Sequence, residues 1–206
     1  MAPMTLQLYG AFVLATAVLM AIPGPNVALI VANSVAHGVR YGLLTVAGTS
    51  SAMVLQLILT GFGMAEMLGR FGVWMEYLRW IGVAYLVYLG LRQWLARPAD
   101  LTSTRAQPRG FGAIYGRGFF VSLTNPKTLF FYGAFFPQFL DKTSGTGQIL
   151  LLAVTFLALA ILIDSTWATL AGRAGALLTR HAKARQRISG SLLMGVGLGL
   201  ALARRR

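Results

Sequence analysis

Residues 22–26 read Ile22-Pro23-Gly24-Pro25-Asn26, and they interrupt an apolar run that extends from about residue 6 to residue 33. Two prolines and a glycine inside a helix remove backbone hydrogen-bond donors and cost several kcal/mol. In a membrane, such a break persists only where the freed backbone is buried in protein or lines a cavity. The stretch therefore predicts a broken transmembrane helix with a site at the break.

A second interruption, Asn125-Pro126-Lys127, lies inside another apolar run, at about residues 113–140. Interruptions at corresponding positions in two halves of a chain indicate a transporter binding site. We therefore expect the two breaks to face each other across a site near the midplane of the bilayer.

The composition is that of an integral membrane protein. Of the 206 residues, 56% are hydrophobic and only 11% are charged, whereas a soluble domain carries about 25% charged residues. The absence of cysteine excludes disulfides and thiolate metal sites, and two histidines make a structural zinc site improbable. We expect no cofactor and no metal. The net charge of +13 would suit a nucleic-acid partner, but arginines between apolar runs are better interpreted as topology signals and contacts with anionic lipids.

Six apolar runs approach the roughly 20 residues that a helix needs to cross a bilayer. They cover about residues 6–33, 43–65, 73–95, 113–140, 147–171 and 188–203. The polar stretch 96–110 separates two halves, about 1–95 and 111–206, each of which begins with a broken span. The predicted fold is a single all-α transmembrane domain over 1–206, with six helices as a 3+3 inverted repeat and broken helices 1 and 4.

The segments between the runs predict the topology. Lys and Arg are more numerous after the first, third and fifth runs, which places the linker 96–110 in the cytoplasm and both termini outside. We expect a turn at residues 37–42 and a solvated, lipid-facing loop at residues 173–187, with an amphipathic surface helix as the alternative for the latter. Glycines four residues apart predict close helix packing, and the pairs are Gly38/Gly42, Gly112/Gly116 and Gly195/Gly199.

The first break supplies candidate substrate-binding residues: Pro23, Gly24, Pro25 and Asn26. Glycine allows unusual backbone angles, and prolines leave carbonyl groups one turn upstream without partners. A half-helix that starts near Asn26 presents free amide N–H groups, which attract a carboxylate. Asn26 can cap this half-helix or donate to a ligand. The alternative is a kink that only tightens packing.

The second break adds Asn125, Pro126 and Lys127 as candidate substrate-binding residues. Asparagine suits a helix N-cap, and proline suits the first helical position. A lysine inside the apolar layer costs a few kcal/mol, and a substrate carboxylate or an acidic partner would compensate its charge. The alternative is that Lys127 lies near an interface and extends its amine to water.

Two further polar residues lie inside predicted spans. Asp164 is the acidic residue well inside a span, and intramembrane acids mark proton or ion pathways, so it is the candidate for proton or ion coupling. The alternatives are a structural partner for Lys127 or a position near water. Gln56 is a secondary candidate, because a single amide often only bonds a neighbouring helix.

Each break belongs to a longer motif. The first motif combines Pro23-Gly24-Pro25-Asn26, Ala36-His37-Gly38-Val39-Arg40-Tyr41-Gly42 and Gly48. The second runs from Gly118-Phe119-Phe120-Val121-Ser122-Leu123-Thr124-Asn125-Pro126-Lys127-Thr128-Leu129-Phe130-Phe131 to Phe136-Pro137-Gln138-Phe139. Together they resemble the two signatures of the LysE/RhtB family of amino-acid exporters. The resemblance implies export of an amino acid, such as lysine, arginine, threonine, homoserine or leucine, across the bacterial inner membrane. It also implies the use of the proton motive force.

These observations predict a secondary active exporter of amino acids or close derivatives, and not an enzyme. The expected partners are an amino-acid substrate, protons and membrane lipids, and the glycine pairs allow a homodimer. No phosphate-binding loop of the GxxxxGK[ST] kind is present, so uphill transport must use an ion gradient. The alternatives are a passive channel and a membrane redox protein or enzyme with a similar broken-helix core.

Overall fold

The computed structural model describes residues 4–70, 110–140 and 146–180, with single helical positions between 77 and 95 and between 187 and 195; for 63–70 and 174–180 it describes only the backbone. The predicted third and sixth spans and the linker 96–110 lie almost wholly outside these residues. The six-span count and the inverted repeat therefore stay predictions.

The described residues are helical, without strands, which confirms the all-α class for this part of the chain. The α-helices are α1 (Leu6–Ala21), α2 (Pro25–His37), α3 (Val39–Arg70), α4 (Phe111–Leu123), α5 (Pro126–Phe130) and α6 (Thr146–Arg180). A π-helical turn, Phe131–Phe135, and a 3-10 turn, Phe136–Phe139, follow α5.

Within the described residues, two segments are long and apolar enough to cross a membrane, Val39–Phe62 in α3 and Thr146–Arg173 in α6. Helices α1 and α2 form a bent pair with an angle of 52° between them, and they bring the number of candidate spans to three if the pair is counted as one span. The bend lies at Ile22–Gly24, between the two helices. The predicted interruption of the first apolar run is thus confirmed.

The turn predicted over residues 37–42 is wrong in extent, because Gly38 alone separates α2 from α3. Gly38 has a φ of 94°, a conformation that costs glycine little and other residues much more. Its N–H group donates to the Ser34 carbonyl, so one left-handed residue is enough to end α2. The chain then returns to helix at Val39.

The basic segment also differs from the expectation of a solvated loop. Helix α6 continues without interruption from Thr146 to Arg180, so the first part of the segment 173–187 belongs to this helix. The remainder lies outside the described residues except for helical Arg187. The apolar run before residue 173 is already helical, and extending a helix costs much less than starting one. The helix therefore continues into the basic segment.

An aromatic cluster forms the core between the break and the start of α1. Phe12 of α1 lies 5.2 Å from Phe139, and Phe131 lies 5.1 Å from Phe156 of α6, measured between ring centroids. Aromatic rings bury large apolar areas and prefer such tilted or edge-on contacts. The cluster consists of Phe12, Phe131, Tyr132, Phe135, Phe136, Phe139 and Phe156. It holds α1, α6 and the irregular segment 131–139 together.

Close helix packing occurs mostly at glycines other than those expected. A Cβ atom on Gly48 of α3 would collide with the Tyr115 carbonyl of α4, and one on Gly118 would lie 2.8 Å from the Thr45 carbonyl. By contrast, Gly112, Gly116 and Gly195 have no such neighbour within 4 Å in the described part of the chain. The spacing of four residues is therefore a poor indicator here, and of the three pairs Gly42 alone is shown in a close contact, with Ser34 and Ala168.

We expect Gly48→Ala to destabilise the protein by about 1–3 kcal/mol, because the added methyl group forces α3 away from the α4 backbone. Gly116→Ala is the matched control in the neighbouring helix, and it should be neutral or stabilising since alanine favours helix by up to about 1 kcal/mol. Melting temperatures in detergent measure both effects. Equal melting temperatures for the two variants would contradict the close packing at Gly48.

Candidate functional site

The two helix breaks meet in space through a pair of buried asparagines. The Asn125 Nδ2 group donates to Asn26 Oδ1 over 3.0 Å, and Asn26 Nδ2 donates to Ser122 Oγ over 3.1 Å. All three side chains are buried. These bonds join residues about one hundred positions apart in sequence, so the first turn of α2 is tied to the end of α4 and the start of α5.

Asn125 also caps the short helix α5. Its Oδ1 atom accepts from the Lys127 backbone N–H over 3.1 Å, and its carbonyl accepts from the buried Thr128 hydroxyl over 3.0 Å. Pro126 occupies the first helical position, where its missing N–H group would have had no helical partner in any case. The predicted roles of Asn125 as a cap and of Pro126 at the first position are thus confirmed.

The Lys127 ammonium group binds the end of α1. Its Nζ atom donates to the carbonyls of Leu19 and Ile22 over 3.0 and 2.9 Å. The helical partner of the Leu19 carbonyl would be the N–H group of Pro23, four residues on, and proline has none. The first break thus creates a free acceptor, and the second break supplies the cation that satisfies it.

Gln56 of α3 fulfils the same role at the end of α4. Its Nε2 atom donates to the carbonyls of Ser122 and Leu123 over 3.1 and 3.0 Å. Here too the helical partner of the Ser122 carbonyl would be a proline, Pro126, four residues on. Since two carbonyls face Nε2, the amide orientation is fixed, and the buried Oε1 atom is left without a partner within the described residues.

Asp164 lies at the level of the first break. It belongs to a buried stripe along α6 with Leu152, Phe156, Ala160 and Ala168. Ala160 shares a buried cluster with Ile22 at the end of α1, whereas Ala168 shares one with Ile30 of α2. Asp164 is one helical turn from each alanine, so it lies beside the break between α1 and α2.

The Asp164 carboxylate interacts with the positive charge of Lys127. It is 2% exposed, and within the part of the chain that the structure describes it accepts no hydrogen bond. A buried carboxylate without donors is costly, so this group is suited to bind a proton or an ammonium group. Asp164 and Lys127 therefore lie within electrostatic range of each other; their roles in transport remain predictions.

The start of α2 differs in one respect from the expectation. Gly24, and not Asn26, is the N-cap residue, and no side chain caps this helix. The first backbone bond runs from Ala28 N–H to the Gly24 carbonyl, so the amide groups of Asn26 and Val27 precede the helical ladder. These two amides retain the partial positive charge that attracts an anion.

Gly24 does not need the conformational freedom of glycine. Its φ of −131° and ψ of −167° are extended values that other residues adopt. A Cβ atom at this position would lie 3.5 Å from Cε and Nζ of Lys127, which is ordinary contact. The small residue therefore leaves free space beside the ammonium group.

Ser122 is the residue that sequence reasoning missed. It is fully buried, its hydroxyl accepts from Asn26, and its carbonyl accepts from Gln56. A signal was present in its position four residues before Pro126, because the carbonyl at that position loses its helical partner. Leu19 occupies the same position relative to Pro23 in the first break.

The model of the family described as LysE type translocator matches residues 17–204, most of the chain, including both breaks, Gln56 and Asp164. This chain belongs to the LysE type translocators. The family resemblance of the two signatures is thus confirmed.

The translocator has relatives of nearly the same length. It is 35% identical to the homoserine/homoserine lactone efflux protein of Salmonella typhi over 98% of this chain and 99% of the relative. It is 30% identical to the leucine efflux protein of Klebsiella pneumoniae over 95% of this chain and 94% of the relative. No solved structure matches the translocator.

Proposed function

We propose that this translocator exports amino acids or close derivatives from the bacterial cytoplasm across the inner membrane, using the proton motive force. The observation that carries the proposal is the direct hydrogen bond between Asn26 and Asn125, which supports a single site formed by the two helix breaks and their charged neighbours. Relatives named as homoserine/homoserine lactone and leucine efflux proteins support amino acids as the substrate class.

The site has the charge pattern that a zwitterion requires. The free amides at the start of α2 are suited to a carboxylate. The Asp164 carboxylate, with no hydrogen-bond donor among the described residues, is suited to the α-ammonium group. Pro23, Pro25 and Pro126 create the broken backbone, and the partnerless Gln56 Oε1 atom is a further acceptor for substrate. Lys127 contributes positive charge beside the break.

Proton coupling is assigned to Asp164 in this proposal. Protonation of the carboxylate from the outside would remove its charge and release the substrate ammonium group. Return of the proton to the cytoplasm would restore the site. The aromatic cluster closes the space between the break and the start of α1, and we assign it the role of one of the two gates that alternating access requires.

The remaining parts of the proposal concern the surroundings. The apolar helices are consistent with a six-span inverted repeat that has a cytoplasmic linker at 96–110, and with a homodimer. The basic composition is consistent with contacts between arginines and anionic lipids. Each is a prediction that cysteine labelling from either side of the membrane or crosslinking can test, since the chain has no natural cysteine.

The test is export from proteoliposomes loaded with single compounds: homoserine, homoserine lactone, leucine, threonine and lysine. We expect accumulation outside against a gradient, and its loss when a protonophore is added. Homoserine lactone retains the ammonium group but has no carboxylate, so it should be exported roughly tenfold less efficiently than homoserine. Transport that only equilibrates the compound, insensitive to the protonophore, would instead identify a passive channel.

A further inference from the structure

The contacts of the Lys127 ammonium group are those of a bound cation. Its Nζ atom lies 3.0 and 2.9 Å from two carbonyl oxygens, of Leu19 and Ile22, at the C-terminal end of a broken helix. Such ends carry partial negative charge, and in transporters they coordinate coupling cations such as Na⁺. Here the position is occupied by a positive charge that belongs to the chain.

We propose that Lys127 is a tethered, resident cation in a carbonyl site at the end of α1, in the place that a free monovalent cation would otherwise occupy. This role of Lys127 deepens the proposed export function, and the transport measurements that test it rest on that function. Its consequence is that the translocator requires neither Na⁺ nor K⁺ at this site. Asp164 is then the group that remains for a mobile cation.

The contacts of Lys127 favour this role over that of an ammonium group that only binds the substrate carboxylate. Lysine has three N–H donors, and two of them are used by backbone carbonyls in this conformation. The acceptors exist because of the first break, since Pro23 deprives the Leu19 carbonyl of its helical donor. The second break supplies the donor, because the cap by Asn125 orients the first turn of α5 from which Lys127 extends. Gln56 makes the equivalent bonds at the end of α4 with a neutral amide. A charged donor is therefore not needed merely to satisfy the carbonyls at the end of a broken helix.

The test uses the absence of cysteine from the chain. In Lys127→Cys the single thiol is alkylated with 2-bromoethylamine, which rebuilds a side chain of the same length ending in an ammonium group. Alkylation with 1-bromopropane gives the same shape with a methyl group instead. A trimethylammonium analogue keeps the charge without N–H donors. The full-length protein is alkylated while unfolded, checked by mass spectrometry, and refolded into proteoliposomes.

We expect the ammonium adduct to refold, to melt close to the wild-type temperature, and to transport at least roughly tenfold faster than the propyl adduct. The trimethylammonium adduct should behave like the propyl adduct, because it cannot donate to the carbonyls. Wild-type transport should be unchanged when Na⁺ and K⁺ are replaced by choline. Lys142→Cys, treated in the same way, is the control for a lysine outside the two broken spans, and all its adducts should behave like wild type.

Several results would overturn the inference. The ammonium and propyl adducts could fold and melt alike, or neither could refold although the Lys142→Cys adducts do. Dependence of wild-type transport on Na⁺ or K⁺ would also contradict it. Refolding and melting need no substrate, so a wild-type protein that exports no amino acid would refute the proposed function while these two measurements still decide on the resident cation.

Discussion

Export against a gradient is expected to be lost in Asp164→Asn, with a decrease of at least roughly tenfold in the uphill rate. Asparagine has nearly the same shape but cannot exchange a proton, and it removes the negative charge that faces Lys127. Exchange of substrate across the membrane needs no net proton movement, and the asparagine carbonyl can still accept from the substrate ammonium group, so exchange should persist at a reduced rate. The measurement compares uphill export with counterflow of labelled homoserine in the same proteoliposomes.

The matched control is Asp141→Asn, which makes the same chemical change in the polar segment after the second broken run. It should leave both uphill export and exchange intact. Full uphill export by Asp164→Asn would remove Asp164 from coupling. Loss of exchange together with uphill export would instead indicate that the carboxylate charge is indispensable for substrate binding, and it would leave Asp164 no separable role in coupling.

Asn125→Ala is expected to be the most destabilising change at the breaks, at about 2–4 kcal/mol. It removes the cap of α5, worth about 1 kcal/mol, and leaves the buried Oδ1 atom of Asn26 without its donor, at a further 1–3 kcal/mol. Because the same side chain orients the first turn of α5, transport should fall as well. Unfolding in mixed detergent measures the free energy, and proteoliposomes measure the rate.

A double-mutant cycle tests whether the asparagines couple the two breaks. Asn26→Ala combined with Asn125→Ala should cost less than the sum of the single changes, with a coupling energy of about 0.5–3 kcal/mol. The control cycle combines Asn33→Ala with Asn125→Ala, and these two changes should be additive. Asn33 is equally buried, bonds Thr45 over 2.9 Å, and lies seven residues from Asn26, about 10 Å along the helix. Additivity of Asn26→Ala and Asn125→Ala would show that the bridge contributes nothing.

Local rules predicted the features that depend on residues near in sequence. The first apolar run breaks at Ile22–Gly24, and Asn125-Pro126 opens a helix with a cap and a proline at its first position. These outcomes follow from the missing N–H of proline and the short polar side chain of asparagine. Local rules failed at residues 37–42, where one glycine sufficed for the turn, and at the glycine pairs, because packing depends on what the facing helix presents.

By itself, the sequence determined that the chain is apolar and helical, where its helices break, and which carbonyls lose their helical donors. Only the tertiary structure decided which groups satisfy those carbonyls. The Leu19 carbonyl is bonded by Lys127, and the Ser122 carbonyl by Gln56 in addition to the nearby Asn125 N–H group. The physical reason is that a proline removes a donor locally, whereas the side-chain donors that replace it come from helices distant in sequence and are set by packing. The breaks at Pro23-Gly24-Pro25 and Asn125-Pro126-Lys127 therefore became one site only when the helices assembled.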